Sequence, residues 1–463
     1  MKTIHHSNIC YWNSHGSAFV LIASLVVVFA RVDAGMVAQP AIPEVPASKT
    51  YQVSVDGITI PVNDESYFDF QTAFFSMDKP VTVEVKFLGE ISYTSIHPLR
   101  HGFTPKVAGN TISFTLKKPL KLVIKAKGSL PLALCATPLE RDAPDAKDPK
   151  IIYFGPGVHE PGLIKPVTGQ TVYLAPGALV KGRIEVRDAN NVTIRGRGTL
   201  DSRGFSIRKQ KTHAILFERC DDVHIDGIGI RGGSWWMTLF LVSHNASTTH
   251  LSLLGKSVNT DGIDIDGVRN FIARDCFIRC EDDGFGWHAV DAEANGEPAT
   301  EDCLAENCVI WNTSAGNGLR LGASMETKLF KNITFRNIDV LMHAGSAIYS
   351  DYSDWATSRN ISFENFFIES RGQKKKPAIK LYIAKTRYSN KTGFRDERGH
   401  IDGLHFINVQ SVGGGISLQG YDAEHLIENV TFKNCTIGGD PVDRLEKIKT
   451  NKFVRNIKFK TTD

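Results

Sequence analysis

Two hydrophobic rhythms divide the chain. Between positions 50 and 137, short runs alternate apolar and polar side chains: YQVSV, ITIPV, VTVEVKFL, TISFTL and LKLVIKA. A period of two marks strands with one buried face. Turn material such as Asp56-Gly57 and Gly109-Asn110 separates them. The pattern predicts a small β-sandwich over 50–137. The charged, Pro-containing stretch PLERDAPDAKDPK that follows forms a boundary.

From Ile151 a different phrase takes over: a polar turn residue, two or three alternating β-formers, another turn, another short strand. It appears as Asn190-Asn-Val-Thr-Ile-Arg, Asp221-Asp-Val-His-Ile-Asp and Arg269-Asn-Phe-Ile-Ala, and later as Lys331-Asn-Ile-Thr-Phe-Arg, Arg359-Asn-Ile-Ser-Phe-Glu and Glu428-Asn-Val-Thr-Phe-Lys. The anchors lie mostly about 20 to 33 residues apart, a solenoid spacing. One longer interval, near 371–400, predicts an inserted loop. No amphipathic helical run of useful length interrupts the region, which argues against a barrel of alternating strands and helices. The Leu-x-x-Leu-x-Leu signature of leucine-rich repeats is absent. What remains is an all-β chain: a right-handed parallel β-helix over 151–463, preceded by the sandwich.

The repeated phrase generates Asn-x-Ser/Thr at Asn191, Asn245, Asn312, Asn332, Asn360, Asn390, Asn429 and Asn434. These are formal glycosylation acceptors. Asn also tolerates a left-handed turn and Thr suits the strand after it, so the repeat accounts for them without sugar.

The apolar run AFVLIASLVVVFA, at 18–30, is short for a membrane span. With Lys2 ahead of it and Val32-Asp-Ala34 behind, it reads as a signal peptide over 1–34, followed by a Pro- and Ala-rich linker over 35–49. The protein is therefore expected to be secreted or periplasmic, with no stable membrane insertion after cleavage. A net charge of +4 gives no pull toward nucleic acid. The Lys374–Lys376 run reads as a solvated loop. Of eight cysteines, Cys276, Cys280, Cys303 and Cys308 depart from paired CxxC zinc spacing and sit in strands of the coil. They read as packing residues, with room for one disulfide. A monomer is the expectation for a solenoid with covered ends.

The chemistry concentrates in 257–288. Asp261 lies in an Asn-Thr-Asp-Gly turn, and Asp282-Asp283 follow 21 residues later. In a coil with that return distance the three carboxylates become neighbours on one face. Crowded carboxylates cannot all ionise freely, so at least one pKa rises and an acid stands beside a base. Glycoside hydrolysis needs that pairing. Asp221-Asp222 and Asp264/Asp266 read as plain turn residues.

Asn259-Thr-Asp-Gly-Ile-Asp264 with Glu281-Asp-Asp-Gly284 resembles the Asn-Thr-Asp and Gln-Asp-Asp motifs of glycoside hydrolase family 28, the polygalacturonases and rhamnogalacturonases. Gly198-Thr-Leu-Asp-Ser-Arg-Gly204 is similar to that family's early turn, and Gly316-Asn-Gly-Leu-Arg-Leu-Gly322 to its Gly-His-Gly-Leu-Ser-Ile-Gly segment. The resemblance covers 151–463. It implies a pectin-lyase-like β-helix and inverting hydrolysis without metal or organic cofactor. It also implies Asp282 as general acid, with Asp261 and Asp283 positioning and deprotonating water. The sandwich, with Val172–Lys181, looks like family 49, the dextranases and isopullulanases.

Two departures matter. The family's His falls on Asn317, and its uronate-clamping Arg-Ile-Lys falls near Ala347-Ile-Tyr349, where no cation stands. Arg320 is the candidate substitute. The expected substrate-binding set is Asn259, Trp287, His288, Asn317, Arg320, Tyr349 and Asp351, with Trp287 as the favoured aromatic platform. Trp235, Trp236, Tyr352 and Trp355 are further stacking candidates.

The reading is an exported hydrolase cutting α-linked bonds of a polysaccharide or oligosaccharide. One rival is a polysaccharide lyase, which wants Ca²⁺ or a Lys/Arg base opposite the uronate. The other is a non-catalytic carbohydrate-binding β-helix, which has no need of clustered carboxylates.

Overall fold

The computed structural model describes residues 35–90, 92–290, 292–294, 296, 299–372 and 376–460. The expected signal peptide and Lys374-Lys375 lie outside them.

The first part is a two-sheet sandwich. One sheet has six strands, including Phe70–Met77, Leu132–Thr137 and Lys121–Lys127; the other has five, including Tyr51–Val55 and Val81–Phe87. Alternation along Val81–Phe87 buries every second residue, as its sequence requires. The expected linker needs correcting. Met36–Ala38 is an edge strand antiparallel to Phe70–Met77, and the Ile42 amide donates to Asn63 Oδ1 at 2.9 Å. An apolar Met-Val-Ala run beside an unpaired sheet edge satisfies that edge's backbone groups, which outweighs the Pro-rich composition behind it.

From Ile151 the chain forms one right-handed parallel β-helix, in which thirty described strands pair coil on coil. Among the described residues helical structure is limited to short 3₁₀ turns. Three ladders run its length. The first includes Asn190–Gly196, Asp221–Asp226, His244–Thr249 and Arg269–Arg274; the second includes Ser252–Leu254, Phe277–Cys280 and Val309–Asn312. The third includes Ile263–Asp266, Phe285–Ala289, Leu319–Met325, Ile348–Tyr352 and Ile379–Ile383. The sandwich covers the second ladder. Phe70 meets Phe277 at 5.7 Å and Trp311 at 5.0 Å, ring centre to ring centre. Glu65 pairs with Arg231 at 3.1 Å, and Arg100 grips Asp339 with two bonds of 2.5 and 2.9 Å. The third ladder is left to face solvent.

Side chains stack inside the coil as they do in sequence. Phe335, Phe363, Phe406, Phe432 and Phe459 form a continuous column with centroid spacings of 5.6, 5.2, 4.9 and 5.7 Å. Cys276, Cys280, Cys303 and Cys308 are buried and free, as are the other three described cysteines, so the packing reading holds and no described disulfide forms.

At the corners, Asn adopts left-handed backbone on coil after coil. Seven of the eight glycosylation-like asparagines, all but Asn312, have φ between 48° and 56°. Their amides form ladders: Asn270 to Asn245 at 2.9 Å, Asn360 to Asn332 at 3.0 Å and Asn456 to Asn429 at 3.2 Å. Asn312 is fully buried and donates to backbone carbonyls of Asp282 and Ala315 at 2.5 Å each. The repeat's corner geometry explains the motif.

These two devices carry different energies. Phe363→Ala empties one slot of the column and should destabilise the coil by about 3–5 kcal/mol. Asn360→Ala strains one corner and opens one ladder link, costing about 1–3 kcal/mol. Urea unfolding of the two variants checks the order; an equal or larger loss for Asn360→Ala would contradict this account of the core.

Candidate active site

Register decides which side chains meet. Ile263 pairs with Phe285, which pairs with Leu319, which pairs with Ile348. The residues two positions earlier, Asp261, Asp283, Asn317 and Ser346, therefore stack at the same corner of successive coils. Backbone bonds fix them there: Gly262 N to Asp283 O at 2.9 Å, Gly284 N to Asn317 O at 3.1 Å and Gly318 N to Ser346 O at 2.9 Å. The Asp261-to-Asp283 interval is one coil. Carboxyl oxygens of Asp261, Asp282 and Asp283 all lie within 4.8 Å of one another.

Gly316 makes the arrangement possible. It has φ of 64°, and a Cβ there would sit 2.4 Å from the Asp282 carbonyl carbon and 2.5 Å from its Oδ1. Any other residue would push the carboxylate aside. Asn259, itself left-handed at φ 71°, donates to Asp282 Oδ2 from its backbone at 3.2 Å and its side chain at 3.4 Å. From below, fully buried Arg279 pairs with Glu281 at 2.6 Å, and Thr313 donates to the same carboxylate at 2.6 Å. Arg279 is balanced in turn by Asp69 of the sandwich at 2.9 Å, and Asp69 also holds Lys256. The sandwich thus reaches through to the strand end that carries the Asp pair.

The environments of the carboxyls differ. Asp261 is almost fully buried, and no described residue donates to its Oδ1. Burial first, then the charges of Asp282, Asp264 and Asp283, raises its pKa well above the carboxylate range. Burial also lifts Asp283, to about 7, although Arg320 at 3.5 Å and the Asn317 amide at 2.8 Å favour its ionised form. Asp282 is half-buried and faces the groove.

Asp264 is a surprise. Sequence reasoning treats it as a turn residue, yet it lies in the strand Ile263–Asp266, fully buried beside the triad, with neither carboxyl oxygen accepting a bond from a described residue. A Cβ on Gly286 would lie 1.9 Å from its Oδ1, so glycine there leaves the carboxyl its space. His288 Nε2 stands 3.6 Å away, and burial holds that imidazole neutral by lowering its pKa to about 3. The Asp264 pKa is raised well above the usual carboxylate range by burial and then by the charges of Asp283 and Asp282, which favours its protonated form. The signal was Asp at a strand position whose neighbours Ile263 and Ile265 point inward.

The groove is a cavity of about 690 Å³ above these groups. Trp235 and Trp236 form one wall, stacked at 5.5 Å and 6°, and His288 lies parallel to Trp236 at 5.4 Å and 18°. Tyr349, Tyr382 and Tyr388 form the other, the last from the inserted loop expected after 371. Trp287, the favoured platform, is corrected: it is fully buried in the coil among Phe271, Phe285 and Phe335. It pairs in register with Ile265 and Leu321, the inward row, and alternation gives the outward place to Gly286 and His288. Tyr352 and Trp355 also point away from the groove, Tyr352 bonding Ser358 and Trp355 donating to Glu293 at 2.7 Å.

Arg320 does reach the site, but Asp351 holds it with bonds of 2.9 and 2.6 Å. A bidentate guanidinium of this kind has most of its donors spent. The three carboxylates are also close enough to share a hard cation through oxygen; the Arg320 charge beside Asp283 opposes one.

Among solved structures, Dex49A from Penicillium minioluteum matches with a TM-score of 0.59 and 13% identity, over 91% of this chain and 96% of that one. A match over that share spans sandwich and coil together. An exopolygalacturonase from Thermotoga maritima matches with a TM-score of 0.46 and 16% identity, over 67% of this chain and 83% of that one. A family 28 exopolygalacturonase from Yersinia enterocolitica gives 0.45 and 12%, over 92% and 96%. No protein-family model and no curated protein sequence matches the chain. The likeness to Dex49A shows the fold, which is the one the family resemblance implies; the chemistry rests on the site.

The electrostatics carry a sign that can be checked. A carboxyl whose folded pKa is raised adds nothing unfavourable below its unfolded value near 4 and destabilises the fold increasingly as pH climbs toward the folded value. Asp264→Asn mimics the protonated acid and removes that cost. Its melting temperature should match wild type near pH 4 and exceed it by several degrees near pH 8. A stabilisation independent of pH would show that Asp264 is not the strained group.

Proposed function

We propose that the chain is an exported glycoside hydrolase that cleaves α-linked bonds of a polysaccharide or oligosaccharide with inversion, using Asp282 as general acid and Asp261 with Asp283 to hold and deprotonate water. The observation that carries the reading is the convergence of three carboxyls, two of them with raised pKa, on the floor of an aromatic-walled groove. Coupled carboxyls titrate as a set, so protons on the buried members are available to Asp282, the member open to the groove. Asn259 supplies two donors to the same Asp282 oxygen and stabilises it after the proton leaves. Two stacked indoles and the tyrosine wall suit the apolar faces of sugar rings. The fold shared with Dex49A is consistent with this use of the groove.

The carboxyls sit closer than the roughly 6.5–9.5 Å usual for a pair that inverts across a ring. A water held jointly by Asp261 and Asp283 reconciles the tight cluster with inversion, because the base is then shared between two groups. Export follows from the N-terminal sequence, and no described helix is long and apolar enough to cross a membrane.

A reducing-end assay against polygalacturonate, rhamnogalacturonan, dextran, pullulan and sulfated galactans tests the activity, with absorbance near 235 nm separating a lyase product. Asp282→Asn should retain its fold and lose roughly 10²–10⁴ in rate. Proton NMR of the first-formed anomer should show inversion. Retention would instead make one of the buried aspartates a nucleophile, and full activity in a folded Asp282→Asn protein would remove the acid assigned here.

A further inference from the structure

The outward row of the third ladder changes sign along the helix axis. It reads Asp264, Gly286, Arg320, Tyr349, Lys380 by register. Strands spaced about 4.8 Å apart put Lys380 roughly 10 Å beyond Arg320 along that row. Lys380 Nζ lies 4.4 Å from the Tyr382 ring centre and 5.7 Å from that of Tyr349. Those two hydroxyls are bonded to each other at 2.8 Å. From the inserted loop, Arg387 lies over Tyr388 at 4.7 Å and donates to its hydroxyl at 2.6 Å. Lys376 and Arg387 both line the groove.

Several cations on the coil's strands are neutralised by acids of neighbouring coils. Arg274, Lys331 and Arg336 each face a glutamate from a neighbouring coil, at 2.6, 2.6 and 3.0 Å. Lys376, Lys380 and Arg387 have no ion-pair partner among the described residues. The acid that acts on Lys380 is Asp351, already held by both arms of Arg320. Burial and the neighbouring Lys376 charge both weaken Lys380's hold on its proton. Like charges kept close over tyrosines, without a carboxylate bonded to them, are relieved when an anion enters.

We propose that Lys376, Lys380 and Arg387, backed by the hydroxyls of Tyr349 and Tyr382, form an anion subsite for a sulfate or carboxylate substituent on the glycan, three coils beyond the Asp282-Asp283 pair. The assignment rests on the hydrolase reading only for where the cut falls; anion binding stands without it. It gives the chain an acidic-glycan preference although Arg320 is locked by Asp351. It also fixes direction, since a substituent held at the cationic end sets which sugar lies over Asp282.

Binding separates the two readings. Full-length Asp282→Asn protein, in which cleavage is blocked, is titrated calorimetrically with polygalacturonate, a sulfated galactan and dextran. One of the acidic polymers should bind at least about tenfold tighter than dextran, weakening with salt, and the tighter of the two identifies carboxylate or sulfate. Adding Lys380→Gln and Arg387→Gln together should weaken that binding about tenfold or more, the worth of one to two charge-assisted hydrogen bonds. Lys380→Arg should largely retain it, with melting temperatures unchanged throughout. Equal binding of dextran, failure of both acidic polymers to bind, or unchanged affinity in the double variant overturns the subsite. Tight, Lys380-dependent binding by a wild-type protein that releases no reducing ends supports the subsite while sinking the hydrolase reading.

Discussion

Each coil hangs on the one before it by parallel backbone hydrogen bonds, and the register of those bonds decides which side chains share the groove. Ile263 opposite Phe285 opposite Leu319 sets Asp261, Asp283 and Asn317 at one corner and leaves Gly286, Arg320 and Tyr349 facing out. A slip of one residue would turn Trp287 into the groove and the Asp264 position into the core. Stacked phenylalanines inside and asparagine ladders at the corners both oppose that slip, since each repeats its residue once per coil. The fold's stability and the alignment of the carboxyls are one constraint.

That constraint forces acids into a space that disfavours their charge. Asp261 and Asp264 are buried, and the groups that relieve them are few. Asn317 and Arg320 act on Asp283, while neutral His288 offers Asp264 nothing ionic. Protonation is the remaining way to lower the energy, and burial with mutual repulsion shifts the pKa values of Asp261, Asp264 and Asp283 upward accordingly. A buried carboxyl that destabilises the protein and a carboxyl ready to act as an acid are the same physical object.

Much of this was legible in the sequence because solenoid repeats are nearly one-dimensional. Spacing alone brought Asp261 to Asp282-Asp283, and the turn-then-strand phrase gave both the coil and the structural meaning of its asparagines. What failed was the assignment of faces. Trp287 and His288 are adjacent, so one must point in, and only the pairing of Trp287 with Ile265 says which. Asp264 was passed over because acidic residues between β-formers usually mark turns, whereas here Ile263 and Ile265 take the inner row and leave Asp264 facing the triad. The bond from Asp351 to Arg320 joins residues on different coils, and no local pattern announces it. The edge strand at Met36–Ala38 was hidden for the same reason, since its partner lies far along the chain.

The sandwich looks from sequence like an appendage, but its contacts make it part of the coil. Phe68 and Phe70 enter one apolar cluster with Leu254, Phe277 and Trp311 of the second ladder, so the coil's flank is a core rather than a surface. Arg279 is fully buried in that flank and needs counter-charge from both sides: Glu281 from just past the end of its own strand and Asp69 from the sandwich. A buried guanidinium stripped of one partner is strongly unfavourable. The tie therefore couples sandwich docking to the position of Glu281, the residue beside Asp282. A parallel coil needs its exposed flank covered and its buried charges balanced, and in this chain one 3₁₀ turn, Ser66–Phe68, with Asp69 at its end does both.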